Sequence, residues 1–269
     1  MCADRGLRGL GPRLLKAEPC EGVGSVGVAA LAALLRLICF PCAGSGGSFF
    51  NCWRASLPKH LRFHAITLPG RHERIAETPF TSFDHAIEAI ADDLAPDNEG
   101  HDVYFGHSLG ALIAFEAARR NLDQALPEPA LLIVAGSLPP SEVDAPAIAR
   151  RSHAPSDELL EEVYAADPTR AGVLYDHPEL RDLTLSAWRS DLRIAGTYHY
   201  TRSTLLSCPI IALSGTFDPR ASTSTMAGWR EETRGRFEQR EFVGDHMFVR
   251  ELAREVVETI TAHILANGS

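Results

Sequence analysis

Short apolar runs alternate with stretches of helical periodicity along most of the chain. Five runs are apolar nearly throughout and rich in β-favouring residues, which predicts strands at 37–40, 63–68, 103–105, 131–135 and 210–213, and the more polar run at 237–243 is also predicted to be a strand. Helical patterns lie between or after them, near 49–57, 82–94, 109–120 and 248–265. Strands without a polar face are typical of a parallel sheet covered by helices on both sides. The pattern therefore predicts an α/β fold with a mostly parallel sheet.

Residues 137–200 interrupt this alternation. They contain the pair Pro139 and Pro140 and helical patterns near 157–165 and 180–197, but no convincing strand. We expect a helical lid inserted between two strands, over the carboxyl edge of the sheet. A helical subdomain without a gating role is the alternative.

The main domain is expected to cover residues 36–268, after an N-terminal extension at 1–35 that we expect to be poorly ordered. Basic residues before the apolar stretch 26–35 faintly resemble a signal peptide, but Glu18 and Glu21 separate the two and the stretch runs directly into the first strand. We favour the extension, and with it a cytoplasmic protein.

Composition excludes several classes of function. With 45% hydrophobic and 23% charged residues among 269, the chain is typical of a soluble globular protein. A net charge of −9 without a basic run argues against binding to nucleic acid or membrane surfaces. No apolar run reaches the roughly 20 residues that span a bilayer. We expect a monomer.

The six cysteines do not form the framework of a disulfide scaffold. Cys39 and Cys42 match Cys-x-x-Cys, but the pair ends a strand instead of opening a helix, so reduced structural thiols are favoured over redox chemistry. No cysteine and histidine cluster has zinc spacing. We expect neither a metal nor an organic cofactor.

The segment Gly106-His107-Ser108-Leu109-Gly110 carries the strongest chemical signal. It matches Gly-x-Ser-x-Gly between a strand and a helix, which is the context of a nucleophile elbow. The sharp turn would lift the hydroxyl of Ser108 above the sheet edge, whereas the same letters without this context often mark only a turn. We predict Ser108 as a nucleophile and expect His107 to be structural or to contact substrate.

A serine nucleophile needs a base, and the base needs an orienting acid. In α/β-hydrolases these follow in the order Ser, Asp or Glu, His, on loops after later strands. Asp218 follows the strand at 210–213 and His246 follows the last strand, so we predict them as acid and base. Asp245 is the rival acid, but neighbouring side chains in a turn usually diverge. A purely structural His246 is the alternative to a base.

An oxyanion hole requires two N–H donors. The backbone of Leu109, directly after the nucleophile, should supply one. The other should come from the glycine-rich loop at 41–48, which follows the first strand. A phosphate cradle is disfavoured there, because the loop lacks the Gly-x-x-x-x-Gly-Lys-[Ser/Thr] pattern.

Together these motifs resemble the type II thioesterases, stand-alone α/β-hydrolases that serve polyketide synthases and nonribosomal peptide synthetases. Medium-chain fatty acyl thioesterases belong to the same group. The resemblance extends from about residue 37 to 265 and rests on the segments 39–44, 68–71, 105–110, 188–192 with 197–198, 215–219 and 244–248. It implies the α/β-hydrolase fold with a helical lid.

The resemblance implies Ser108 as nucleophile, Asp218 as acid and His246 as base, with oxyanion donors on the backbone of Ala43 and Leu109. It implies hydrolysis of acyl thioesters on the phosphopantetheine arm of acyl or peptidyl carrier proteins, which removes stalled or short acyl groups. Carrier proteins would be transient partners. The alternatives are a medium-chain fatty acyl thioesterase, an oxygen-ester hydrolase or acyltransferase, and a non-catalytic binding protein on the same fold.

Two positions depart from the family pattern. Cys42 stands where a histidine or an aromatic residue is usual, and Ser45 stands where a second glycine is usual. Backbone N–H groups remain available at both positions, so we expect the oxyanion hole to survive. For Arg71, in the Leu-Pro-Gly-Arg segment, a structural role in the loop is favoured over a contact with substrate or carrier.

Overall fold

A computed structural model describes residues 35–59, 61–94, 102–202 and 204–267. The predicted extension at 1–35 lies outside these ranges except for Leu35. The strands form one sheet in the order β2-β1-β3-β4-β5-β6, and every neighbouring pair is parallel. Their bounds are Arg36–Phe40 (β1), Arg62–Ala65 (β2), Asp102–His107 (β3), Leu131–Ala135 (β4), Ile210–Gly215 (β5) and Phe237–Phe242 (β6). The predicted α/β-hydrolase type of fold, with its mostly parallel sheet, is confirmed.

The sheet is buried on both faces because its strands carry apolar residues at successive positions. Side chains alternate between the two faces of a strand. In β1, Ile38 and Phe40 pack into the core on one face, while Leu37 and Cys39 pack into the core on the other. β6 is only partly buried and contains Glu, Gln and Arg, as suits a strand at the edge of a sheet.

Helices cover the two faces and the carboxyl edge of the sheet. Within the described ranges the α-helices are Phe83–Leu94 (α1), Leu109–Asp123 (α2), Ala145–Arg151 (α3), Ser156–Ala166 (α4), Pro168–Asp176 (α5), Pro178–Ala195 (α6), Thr223–Met226 (α7), Phe248–Glu251 (α8) and Ala253–Asn267 (α9). Short 3-10 helices span Gly47–Trp53, His72–Arg74, Pro140–Glu142 and Ala227–Glu232. None of the described helices is long and apolar enough to cross a bilayer.

Three predicted boundaries were wrong. The helix predicted at 49–57 is a 3-10 helix that ends at Trp53, and the strand predicted at 63–68 ends at Ala65, after which β2 leaves β1. The last helix is broken at Leu252, which separates α8 from α9. At each place single backbone hydrogen bonds still follow the element, as from Leu57 to Trp53, from Ile66 to Cys39 and from Leu252 to Phe248, but the regular helix or strand does not continue.

Four helices, α3 to α6, lie between β4 and β5, where the sequence predicts a helical insertion. Pro168 and Pro178 each occupy the first position of a helix, which suits their fixed φ and missing N–H. The insertion has an apolar cluster of its own, which includes Leu159, Val163 and Trp188. α3 and α5 were not predicted, because they are short and carry few buried residues.

Candidate active site

Ser108 lies at a strained turn between β3 and α2. Its φ is 55° and its ψ is −120°, in a region that side-chain-bearing residues rarely adopt. A Cβ at Gly106 would lie 2.3 Å from the carbonyl oxygen of Gly110, and a Cβ at Gly110 would lie 2.1 Å from that of Phe40. Both glycines are therefore required for α2 to approach the sheet this closely. The geometry is that of the predicted nucleophile elbow.

The structure brings Asp218 and His246 together from two different strand exits. Nδ1 of His246 lies 2.8 Å from Oδ2 of Asp218, and both residues are buried. The other oxygen, Oδ1, accepts the N–H of Arg220 at 2.8 Å. The rival carboxylate of Asp245 instead accepts the N–H of Met247 in its own turn, at 2.7 Å. Asp218, and not Asp245, is thus the carboxylate that contacts the imidazole of His246.

This pairing fixes which nitrogen of His246 can act as a base. Because a carboxylate only accepts, Nδ1 carries the proton, and in the neutral imidazole Nε2 is the nitrogen with the lone pair. Ser108 and His246 line the same cavity, although no hydrogen bond joins the hydroxyl to Nε2. Catalytic hydrogen bonds are often long in a substrate-free site and tighten only when substrate binds.

Two residues that line this site, Ala43 and Leu109, have backbone N–H groups available for an oxyanion. Ala43 and Leu109 line the cavity, and neither N–H has an acceptor among the residues that the structure describes. The next two N–H groups of the loop are occupied: Gly44 donates to Oδ2 of Asp191 at 2.7 Å, and Ser45 donates to the carbonyl of Cys42 at 3.2 Å. The N–H of Leu109 also lies at the positive end of the α2 dipole.

His107 lies beside His246, with ring centroids 4.9 Å apart. It is fully buried, its ring stacks on Phe49 with centroids 5.4 Å apart, and Nε2 lies 2.9 Å from the carbonyl oxygen of His246. Because a carbonyl only accepts, Nε2 carries the proton. Burial lowers the pKa of His107 well below its ordinary value, and the nearby charge of His246 lowers it further. A neutral His107 therefore supports the backbone of His246.

Arg71 is buried rather than presented to a ligand. Only 3% of the residue is exposed, and both terminal nitrogens contact the carboxylate of Asp191, Nη1 to Oδ2 and Nη2 to Oδ1, each at 2.5 Å. The favoured structural role agrees with this placement. A contact of Arg71 with substrate or carrier does not agree with it, because both terminal nitrogens of the guanidinium bind Asp191 inside the protein.

The cavity beside Ser108 has a volume of about 410 Å³, within the range of small-molecule sites. Its walls are mainly apolar and come largely from the insertion and from the start of α2. The sequence does not distinguish these lining residues from ordinary core positions: Leu112, Leu138, Val143, Ile148, Val163 and Leu192. The described residues hold no group of three or more side chains suited to a metal ion.

The fold and this site define an α/β-hydrolase. Its candidate nucleophile, Ser108, lines a mainly apolar cavity. The model of the thioesterase domain family matches residues 35–264, and the chain belongs to that family. It is therefore a hydrolase of thioesters, and the resemblance predicted from the motifs is confirmed.

Individual relatives agree with the family match. The gramicidin S biosynthesis protein GrsT of Aneurinibacillus migulanus is 34% identical over 228 residues, 84% of this chain and 88% of GrsT. The solved structure of RedJ, the thioesterase of the prodiginine pathway in Streptomyces coelicolor, superposes with a TM-score of 0.78 at 30% identity, covering 94% of this chain and 96% of RedJ. BorB, the type II thioesterase of the borrelidin cluster, superposes with a TM-score of 0.79 at 29% identity, covering 93% and 97%.

Proposed function

We propose that the protein hydrolyses acyl thioesters carried on the phosphopantetheine arm of acyl or peptidyl carrier proteins. It would remove stalled or short acyl groups in polyketide or nonribosomal peptide synthesis, with the carrier protein as a transient partner. One observation carries the proposal: Ser108, His246, Ala43 and Leu109 line one mainly apolar cavity, and the N–H groups of Ala43 and Leu109 have no acceptor among the described residues. The pathways named for GrsT, RedJ and BorB support the carrier-bound substrate.

The proposed acylation uses the groups already in place. The Ser108 oxygen attacks the thioester carbonyl while Nε2 of His246 accepts its proton. The negative charge that develops on the carbonyl oxygen is stabilised by the N–H groups of Ala43 and Leu109. The carbon–sulfur bond then breaks, and the pantetheine sulfur leaves with the proton from His246. A thiol with a pKa near 8.5 leaves more readily than an amine, so this proton transfer is less demanding than in a protease.

Deacylation repeats the chemistry with water. His246 accepts a proton from water, the resulting hydroxide attacks the Ser108 ester, and the free acid leaves as Ser108 regains its proton. Asp218 stays ionised and stabilises the imidazolium in both half-reactions. These steps need only the chain and water, so we propose no metal or organic cofactor.

The first test compares Ser108→Ala with Ser137→Ala, a second serine that lines the same cavity. Substrates are acyl groups from acetyl to decanoyl, presented on a carrier protein and as N-acetylcysteamine thioesters, beside oxygen esters of equal length. We expect Ser108→Ala to lose turnover and fluorophosphonate labelling while its thermal unfolding stays normal, and Ser137→Ala to retain both.

Undiminished thioester hydrolysis by Ser108→Ala would refute the proposal. Faster hydrolysis of the oxygen esters than of the matched thioesters would favour the alternative of an oxygen-ester hydrolase or acyltransferase. If the rate of hydrolysis is highest for the longest acyl groups and is the same with and without the carrier protein, the alternative of a medium-chain fatty acyl thioesterase would be favoured.

A further inference from the structure

The loop that supplies Ala43 is held from the side of the insertion. Gly44 adopts a φ of +70°, and its N–H donates to Oδ2 of Asp191, on α6. A Cβ at Gly44 would lie 2.9 Å from Cε3 of Trp188, on the same helix. The loop therefore packs directly on α6, with no room for a side chain at Gly44.

Arg71 binds both Asp191 and the loop that follows Ala43. Its guanidinium binds both oxygens of Asp191, and Nη1 also donates to the carbonyl oxygen of Ser45 at 3.2 Å. Oδ2 of Asp191 is thus shared between Arg71 and the N–H of Gly44. The ion pair holds Gly44 by its N–H and Ser45 by its carbonyl, which are the two residues that follow Ala43.

The charge of this pair matters as much as its geometry. Asp191 lines the cavity that contains Ser108, and only 1% of the residue is exposed. An unpaired carboxylate there would repel the negative charge that develops on the substrate oxygen, and water could not screen it. Arg71 neutralises Asp191, so the carboxylate orients the loop without opposing the oxyanion.

We infer that Arg71 and Asp191 are positioning residues, which fix the conformation of the oxyanion loop and keep its surroundings neutral. The inference rests on the proposed function, because it concerns the oxyanion hole of that reaction. Through the Arg71–Asp191 pair, the position of α6 in the insertion would determine the conformation of the oxyanion loop. Neither residue touches the reacting atoms.

The two partners should respond differently to substitution. Arg71→Gln leaves a buried, unpaired carboxylate beside the hole, and we expect kcat to fall about 10²-fold, the loss typical of one disabled oxyanion donor. Asp191→Asn keeps an oxygen for the N–H of Gly44 and removes the negative charge, so its loss should be smaller. The double variant Arg71→Gln/Asp191→Asn should recover activity relative to Arg71→Gln alone.

The matched control is Arg36→Gln, which breaks a partly buried ion pair with Asp102 between β1 and β3. It should lower the melting temperature without lowering kcat of the folded enzyme. KM should change little in the Arg71 and Asp191 variants, because the loss concerns the transition state. Their affinity for a boronic acid that forms a tetrahedral adduct with Ser108 should fall in proportion to kcat.

The rate of fluorophosphonate labelling separates this inference from the proposed function, because it needs the nucleophile and the oxyanion hole but no thioester. A protein that hydrolyses no thioester, yet labels more slowly in Arg71→Gln than in Arg36→Gln, would contradict the proposed substrate and support the positioning role. Variants that lower the melting temperature as Arg36→Gln does, with labelling and boronic acid affinity unchanged, would overturn the inference.

Discussion

Replacing Asp218 with asparagine is expected to disable the base without disturbing the fold. The side chain of Asp218 accepts two hydrogen bonds in a buried place, from the N–H of Arg220 and from Nδ1 of His246, each at 2.8 Å. Asparagine has nearly the same size but only one acceptor oxygen, and its second position is an NH₂ donor. It therefore cannot accept from both groups.

Each orientation of the amide carries its own penalty. With its oxygen towards Arg220, the NH₂ faces Nδ1 of His246, whose proton must move to Nε2, where it blocks uptake of the Ser108 proton. With the amide reversed, two donors face each other at Arg220, which costs about 1–3 kcal/mol. The first orientation gives the wrong tautomer, for which losses near 10⁴ are known in serine triads. We expect kcat to fall by about 10²- to 10⁴-fold, with KM little changed.

Steady-state kinetics on an acyl-N-acetylcysteamine thioester would measure this loss, with thermal unfolding to verify the fold. Asp245→Asn is the matched control, because the oxygen of asparagine can still accept the N–H of Met247. It should retain activity near that of the wild type. A large loss in Asp245→Asn together with a small one in Asp218→Asn would refute the assignment of the acid.

The remaining predictions concern stability. Because burial lowers the pKa of His107, the folded state keeps it neutral while the unfolded state binds a proton below pH about 6.5, so acid should destabilise the wild type. Below that pH, the free energy of unfolding of the His107→Asn variant, measured in urea, should fall less steeply with decreasing pH, by up to about 1.4 kcal/mol per pH unit. Gly110→Ala should unfold the protein or destabilise it by at least about 1–3 kcal/mol, since its Cβ would meet the carbonyl of Phe40 at 2.1 Å. Gly172→Ala, in an exposed helix with nothing within 4 Å of the new Cβ, should stabilise by about 0.5–1 kcal/mol in thermal unfolding.

Each of these three predictions is contradicted by a specific result. An unchanged pH dependence in His107→Asn would mean that His107 is not held neutral in the folded state. A stable Gly110→Ala variant would show that α2 can move away from β1. A destabilised Gly172→Ala would contradict the open environment described for that helix.

The contact between Asp218 and His246 could be predicted because it follows from strand order along the chain. The carboxyl ends of parallel strands meet at one edge of a sheet, so the strand exits at Asp218 and His246 were enough to predict that the two side chains meet near Ser108. The choice against Asp245 followed from local turn geometry, and the structure shows that carboxylate bound to the N–H of Met247. Local rules and strand order were sufficient for these residues.

The role of His107 could not be assigned in this way. Its ring packs against Phe49, and its Nε2 contacts the backbone of His246, which lies 139 residues away. Both contacts depend on how the 3-10 helix after β1 and the loop after β6 converge beneath the elbow. The residues that line the cavity could not be predicted either. In a sequence, an apolar residue that lines a cavity looks the same as an apolar residue of the core.

The partnership of Arg71 and Asp191 spans 120 residues, yet its sequence did contain a signal. Asp191 lies three residues after Trp188 and four before Ala195, a spacing that places all three on one face of a helix. That face is buried, and an isolated carboxylate is too costly to bury without a partner. A charged residue on an apolar helical face therefore predicts a buried cation somewhere in the fold. An arginine in a loop beside a parallel strand is a suitable candidate, because its planar guanidinium can bind both carboxylate oxygens at once. The identity of the partner becomes clear only when α6 is packed over the loop, since the same face of the helix must also accommodate Gly44.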